Sequence, residues 1–208
     1  MRPKLKISGI SDLQDARYCA AVGIDLIAFT IEQGNPDAVT TAFVKEVSGW
    51  LEGPETVGEF GESDSVDYIL ECREKLHLQW ISLPWEKYCA PGALDALKGK
   101  IILRKSSEAM VSDLAAFAVL IAENPGLCIE YAYTAPELFE QLLADMPDVA
   151  AGSILAFSDP DPVYKILAEN GVKPFAFALG SFAKEESGTL DYNTCDVFVE
   201  KYESLAVS

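Results

Sequence analysis

The chain has 208 residues, half of them hydrophobic and 24% charged, the profile of a folded domain able to bury a sizeable core. Thirty-three acidic residues against sixteen basic ones give a formal net charge of -17. A field of that sign repels nucleic-acid backbones and anionic membranes, so neither is an expected partner.

No apolar run approaches the ~20 residues of a membrane span, and the first residues lack the apolar core of a signal peptide, which points to a cytoplasmic protein. Taken in chain order, strand-like apolar runs recur at about residues 4–8, 24–29, 55–60, 77–82, 100–104, 127–132, 152–157 and 174–179. Helix-like stretches separate them. Eight such units in about 200 residues predict an α/β fold, a single (βα)8 TIM barrel of eight parallel strands with an outer ring of helices, spanning residues 1–208 without a linker.

Helix punctuation agrees with that count. Ser11 followed by Gln14 has capping-box spacing before the first helix, and Gly23 stands where a C-terminal glycine belongs. Ser158, Asp159 and Asp161 are candidate caps for a helix ending near Gly171. The last helix places Cys195, Phe198, Val199 and Tyr202 on one face.

The five cysteines, Cys19, Cys72, Cys89, Cys128 and Cys195, are scattered with no pair at redox or metal-binding spacing, and read as reduced, mostly buried thiols. His77 is the only histidine, which excludes multi-histidine metal sites. Neither a metal nor a cofactor is expected. The Glu59, Glu62 and Asp64 group matches no metal motif and reads as a solvated acidic loop.

In a barrel of this kind the site forms at the C-terminal ends of the strands. The expected rim carries Ser8, Glu59 or Glu62, Ser82, Arg104 with Lys105, Glu130, Ser158 with Asp159, and Gly180 with Ser181. Trp80 and Trp85 read as packing aromatics rather than ligand platforms.

The run Lys6-Ile7-Ser8-Gly9-Ile10, followed by Asp15-Ala16 and Gly23-Ile24-Asp25, resembles the opening of the phosphoribosylanthranilate isomerase family. Thr56-Val57-Gly58-Glu59-Phe60 is similar to that family's third strand, and Ser187-Gly188-Thr189-Leu190-Asp191-Tyr192 to its segment before the final helix. The order and spacing of these motifs carry the resemblance over nearly the whole chain.

The resemblance implies an Amadori rearrangement in tryptophan biosynthesis, which needs a general acid at the ribose ring oxygen and a general base at the C2 proton. It puts Ser8 at the position of the family's basic cysteine and Glu130 at its acidic aspartate. A serine hydroxyl ionises far less readily than a thiol near ~8.5 and needs a neighbouring base, and the sequence identifies none. For Glu130, an ion pair with Arg104 or Lys105 on the adjacent strand is the favoured structural reading.

Other family motifs are altered. The arginine after the second strand is replaced in Asn35-Pro36-Asp37, which reverses the local charge. Strand four retains only Gln79 of its motif, in Gln79-Trp80-Ile81-Ser82. The phosphate-binding glycines of strand seven become Ala156-Phe157-Ser158-Asp159, and strand eight keeps only part of its motif in Ala178-Leu179-Gly180-Ser181.

The resulting expectation is a diverged phosphoribosylanthranilate isomerase-like barrel without efficient parental activity. The alternative is an active N-(5'-phosphoribosyl)anthranilate isomerase, or an altered sugar-phosphate isomerase, using Ser8 and Glu130, with Arg104, Ser158, Gly180 and Ser181 as substrate-binding residues. The partner classes considered are a small anionic metabolite and a homodimer.

Overall fold

The computed structural model describes residues 2–90, 92–105, 113–133, 140, 144–168, 173–180, 183–184 and 189–206. Eight strands are β1 (Lys4–Ile7), β2 (Leu26–Thr30), β3 (Glu55–Glu59), β4 (Trp80–Pro84), β5 (Lys100–Arg104), β6 (Leu127–Ala132), β7 (Ser153–Phe157) and β8 (Ala176–Leu179). They form a closed barrel in chain order, all parallel, with β8 pairing back onto β1 from Lys4↔Ala176 to Ile7↔Leu179. The predicted (βα)8 architecture is the one observed.

Among the described residues, the helices are α1 (Leu13–Ala21), α2 (Thr41–Trp50), α3 (Val66–Lys75), α4 (Trp85–Tyr88), α5 (Leu114–Glu123), α6 (Pro147–Ala151), α7 (Asp161–Ala168) and α8 (Tyr192–Ala206). None is long and apolar enough to cross a membrane.

Period-two alternation divides each strand between two cores. Leu5, Ile7, Ile81 and Leu83 point outward into the layer shared with the helices. Leu26, Val57, Trp80, Ile102, Cys128 and Ile154 fill the barrel's interior. The interior is therefore packed, and only its upper end can hold a site.

Local chemistry explains the departures from the sequence reading. The cap of α1 is Asp12, whose side chain accepts from the Gln14 amide at 2.5 Å, rather than Ser11; Gly23 follows the helix at φ +81° as expected. Strand β4 runs later than the predicted 77–82 because His77 takes a left-handed φ of 53° just after α3. The Gln79 side chain, meanwhile, accepts from the Thr56 amide at 2.8 Å.

Asp159 accepts from the Asp161 amide at 2.8 Å at the start of α7, while Gly171 lies outside the described residues. Cys195, Phe198, Val199 and Tyr202 are all buried, as the helical spacing predicts. The five cysteines are free, and Cys89 alone among them is half-buried.

Helix α8 also fastens the barrel seam. The Tyr202 hydroxyl donates to the Pro3 carbonyl, and Arg2 pairs with Glu203. Trp85 packs edge-on against Phe117 at 4.9 Å between ring centres, and Trp80 is buried in the interior, which bears out the packing role for both.

Candidate functional site

Lys4, Lys6 and Ser8 share one parity on and just beyond β1, opposite to Leu5 and Ile7, so all three face the barrel axis. The same alternation aims Glu55 and Glu59 inward from β3, Ser82 from β4, Arg104 from β5 and Glu130 from β6. The upper interior therefore carries a polar layer on top of the apolar plug.

Lys6 is its centre and is fully buried. Its ammonium donates to Ser8 Oγ at 2.6 Å, to Glu59 Oε1 at 2.9 Å and to Glu130 Oε1 at 3.3 Å. Glu130 Oε2 lies 3.0 Å from the same ammonium, so both carboxylate oxygens face it. Ser8 in turn donates its hydroxyl proton to Glu59 Oε1 at 2.8 Å.

Within this cluster, charge and burial pull Lys6 and Glu59 in opposite directions. Burial alone lowers the Lys6 pKa, but the charges of Glu130 and Glu59 outweigh it and leave the ammonium above its ordinary value. Burial likewise opposes ionisation of Glu59, but Lys6 and Arg104 outweigh it and hold the carboxyl down to about 2. The layer is therefore two cations, Lys6 and Arg104, against two carboxylates.

Ser8 and Glu130, the two residues placed by motif in catalytic positions, are thus brought together on one ammonium. Two features of the sequence reading need correction. Glu130 pairs with Lys6 across the barrel, not with Arg104 or Lys105; Arg104 donates to the Phe60 carbonyl at 2.7 Å, and Lys105 pairs with Asp113 at 3.5 Å. Ser8 does have a neighbouring base, Glu59, which reaches it from a strand too distant in sequence for spacing to reveal.

The remaining proposed binding residues behave differently. Ser158 is exposed beyond the end of β7. Gly180 sits where an added Cβ would meet the Phe157 carbonyl oxygen at 2.1 Å, so its lack of a side chain lets β7 and β8 close together. Ser181 lies outside the described residues, as do Ser187 and Gly188 of the segment before the final helix.

Beside the polar layer a cleft of about 760 Å³ opens between Gly9, Thr30, Asp37, Phe43 and Lys184. Asp37 is exposed there, at the position of the altered charge. Asp64 is not a cation ligand but a loop staple, accepting from the Gly61 amide at 2.8 Å and the Gln33 amide at 3.1 Å. Among the described residues no group of three or more His, Cys, Asp or Glu is placed to hold a metal ion.

Sequence reasoning missed Lys6 as a site residue. The signal that could have found it is its shared parity with Lys4 and Ser8 on a strand whose hydrophobic residues all face the helices.

No protein-family model matches the chain, and no curated protein matches it either. Among solved structures, the phosphoribosylanthranilate isomerase of Thermus thermophilus is similar over 97% of this chain and 99% of its own, with a TM-score of 0.76 at 20% identity. Monomers generated from the dimeric phosphoribosylanthranilate isomerase of Thermotoga maritima give the same coverage and a TM-score of 0.76 at 19% identity. A phospho-2-dehydro-3-deoxyheptonate aldolase from Thermotoga maritima is similar over 99% of this chain and 69% of its own, with a TM-score of 0.68 at 12% identity. At these identities the likeness is one of fold, and the chain folds as a (βα)8 barrel of the kind found in phosphoribosylanthranilate isomerases.

Proposed function

We propose that this chain is a phosphoribosylanthranilate isomerase-like barrel that no longer carries out the parental rearrangement efficiently. The observation that supports this is the state of Ser8. Its hydroxyl replaces a thiol, accepts from Lys6 at 2.6 Å and has Glu59 as the acceptor of its proton.

A general base works best with a pKa near the working pH. Glu59, held down to about 2, is far too weak a base to make a serine alkoxide or to draw a proton from carbon. Both oxygens of Glu130 are turned to the Lys6 ammonium, at 3.3 and 3.0 Å, which leaves neither aimed at a substrate. Asp37 at the rim and the missing strand-seven glycines weaken the hold on an anionic substrate further. A small anionic metabolite is therefore a poorer fit than a neutral one.

The second reading, an isomerase using Ser8 and Glu130, has one observation in its favour: the two side chains converge on Lys6 within the mouth. Turnover of N-(5'-phosphoribosyl)anthranilate by the purified protein decides between them. The first reading expects none above background, no rescue of a tryptophan-requiring strain lacking its isomerase, and no recovery in Ser8→Cys. Turnover abolished by Glu130→Ala would establish the second. A homodimer, like that of the Thermotoga maritima relative, is proposed on that likeness alone and is checked by light scattering.

A further inference from the structure

The open cleft of about 760 Å³ beside the polar layer is lined by charges of both signs. Strands β8 and β2 flank β1 in the barrel, and the chain leaving each of them builds one side of the cleft. Lys184 belongs to the β8 side and Asp37 to the β2 side, with Gly9, just past the end of β1, between them. The Lys184 ammonium leans over Gly9: a Cβ added to that residue, whose φ is +69°, would stand 2.9 Å from Nζ. Among the described residues neither the Lys184 ammonium nor the Asp37 carboxylate has a hydrogen bond or an ion pair, and the two are not paired with each other.

Both residues sit on anchored backbone. The Asn35 side chain accepts from the Asp37 amide at 2.9 Å, and the Val39 amide donates to the Thr30 carbonyl at 2.9 Å. On the other side Lys184 bridges Leu190 in antiparallel fashion, and the Asp191 amide donates to the Ala183 carbonyl at 3.0 Å. Backbone fixed in this way lowers the ordering cost of binding.

Two unpaired opposite charges on one cleft select their ligand by sign. A simple anion gains Lys184 but meets Asp37 and the field of a chain with a net charge of -17, and a simple cation meets Lys184. A molecule carrying both signs gains at both ends, and with no net charge it is indifferent to that field. The cleft is otherwise lined in part by Pro36, Val39 and Phe43, the last two half-buried, with Phe43 set edge-on to Phe29 at 6.2 Å between ring centres. Apolar lining beside two charged contacts suits a ligand with methylenes between its charged ends.

We infer that this cleft binds a small zwitterion of the ω-amino acid class, its ammonium on Asp37 and its carboxylate on Lys184. The inference goes beyond the reading above and uses side chains outside the Lys6 cluster, so turnover of phosphoribosylanthranilate bears on that reading and not on this one.

The test is titration of the full chain with 5-aminopentanoate at neutral pH and low salt, followed through backbone amide shifts. Saturable shifts are expected at Gly9, Asp37, Phe43 and Lys184. Pentanoate, which lacks the amine, and pentan-1-amine, which lacks the carboxylate, are each expected to bind about tenfold more weakly. Norvaline, an isomer of the probe with both charges on one carbon, is expected to be weaker as well. Asp37→Asn should remove the advantage over pentanoate, and Lys184→Met the advantage over pentan-1-amine.

Absence of saturable shifts at the cleft overturns the proposal, as does equal or tighter binding of pentanoate, pentan-1-amine or norvaline. Retention of the full affinity for 5-aminopentanoate in both variants overturns it too. The ligand comparisons are made on the unaltered protein, so they decide the matter even where a variant fails to fold.

Discussion

The two ends of the barrel's interior are built from the same residue types and use them in opposite ways. At the lower end Glu55 accepts from Lys4, from Lys100 and from Trp80 Nε1, the last at 2.9 Å, and both of its oxygens are engaged. At the upper end Lys6, Glu59, Glu130 and Arg104 form a layer of equal charge balance, with the Lys6 ammonium held by both carboxylates. The lower network is a finished closure against water. The upper one sets two cations against two carboxylates at the end where a barrel of this kind holds its site.

Removing the hub should break this contrast most strongly. Lys6→Met leaves Glu59 and Glu130 buried with no ammonium between them, and a loss of about 3–5 kcal/mol is expected in urea unfolding. Partial rescue by adding Glu130→Gln would assign the loss to the uncompensated charge rather than to packing.

Acid should reveal the upper layer next. The folded-state pKa of Glu59 lies near 2, below its unfolded value of ~4.3, so its stabilisation is full above that value and fades as pH falls toward 2. Between neutral pH and about pH 3 the wild type should lose about 2 kcal/mol that Glu59→Gln does not lose. Parallel urea midpoints at the two pH values give the comparison.

Gly180→Ala tests the rim itself. A methyl group directed at the Phe157 carbonyl must push β7 and β8 apart, and about 1–3 kcal/mol of destabilisation is expected from thermal melts. The smallest effect belongs to the lower end. Lys100 is half-exposed, so Lys100→Met should cost less than about 1 kcal/mol, and added salt should shrink even that. A large loss there would erase the distinction between the two ends.

The eightfold strand and helix alternation was legible because every strand carries an apolar run bounded by helix punctuation. It blurred at β4, where the left-handed His77 delays the strand, and at α1, where Asp12 supplanted Ser11 as the cap; neither depends on hydrophobic pattern. Ser8 and Glu130 were expected at the mouth from their motifs, and the structure brings both to the Lys6 ammonium.

Lys6 was not, because a lysine alternating with leucine and isoleucine ordinarily marks the wet face of a half-buried strand. A closed barrel breaks that rule: both faces of the strand are buried, one against the helices and the other in the interior, where carboxylates from other strands pair the Lys6 ammonium. The Ser8–Glu59 and Lys6–Glu130 contacts join strands remote in sequence, so no local spacing could encode them.

The seam between β1 and β8, fastened by Tyr202 on Pro3, has a consequence for how the molecule assembles. The first strand finds one of its two neighbours only after nearly the whole intervening chain has been ordered, and so long a loop closes at a considerable entropic cost. Until then the Lys6 ammonium remains hydrated and its carboxylate partners on β3 and β6 repel each other unshielded. Closure of the seam and neutralisation of the mouth should therefore occur as one late event in refolding, accelerated by salt up to that point and indifferent to it afterwards.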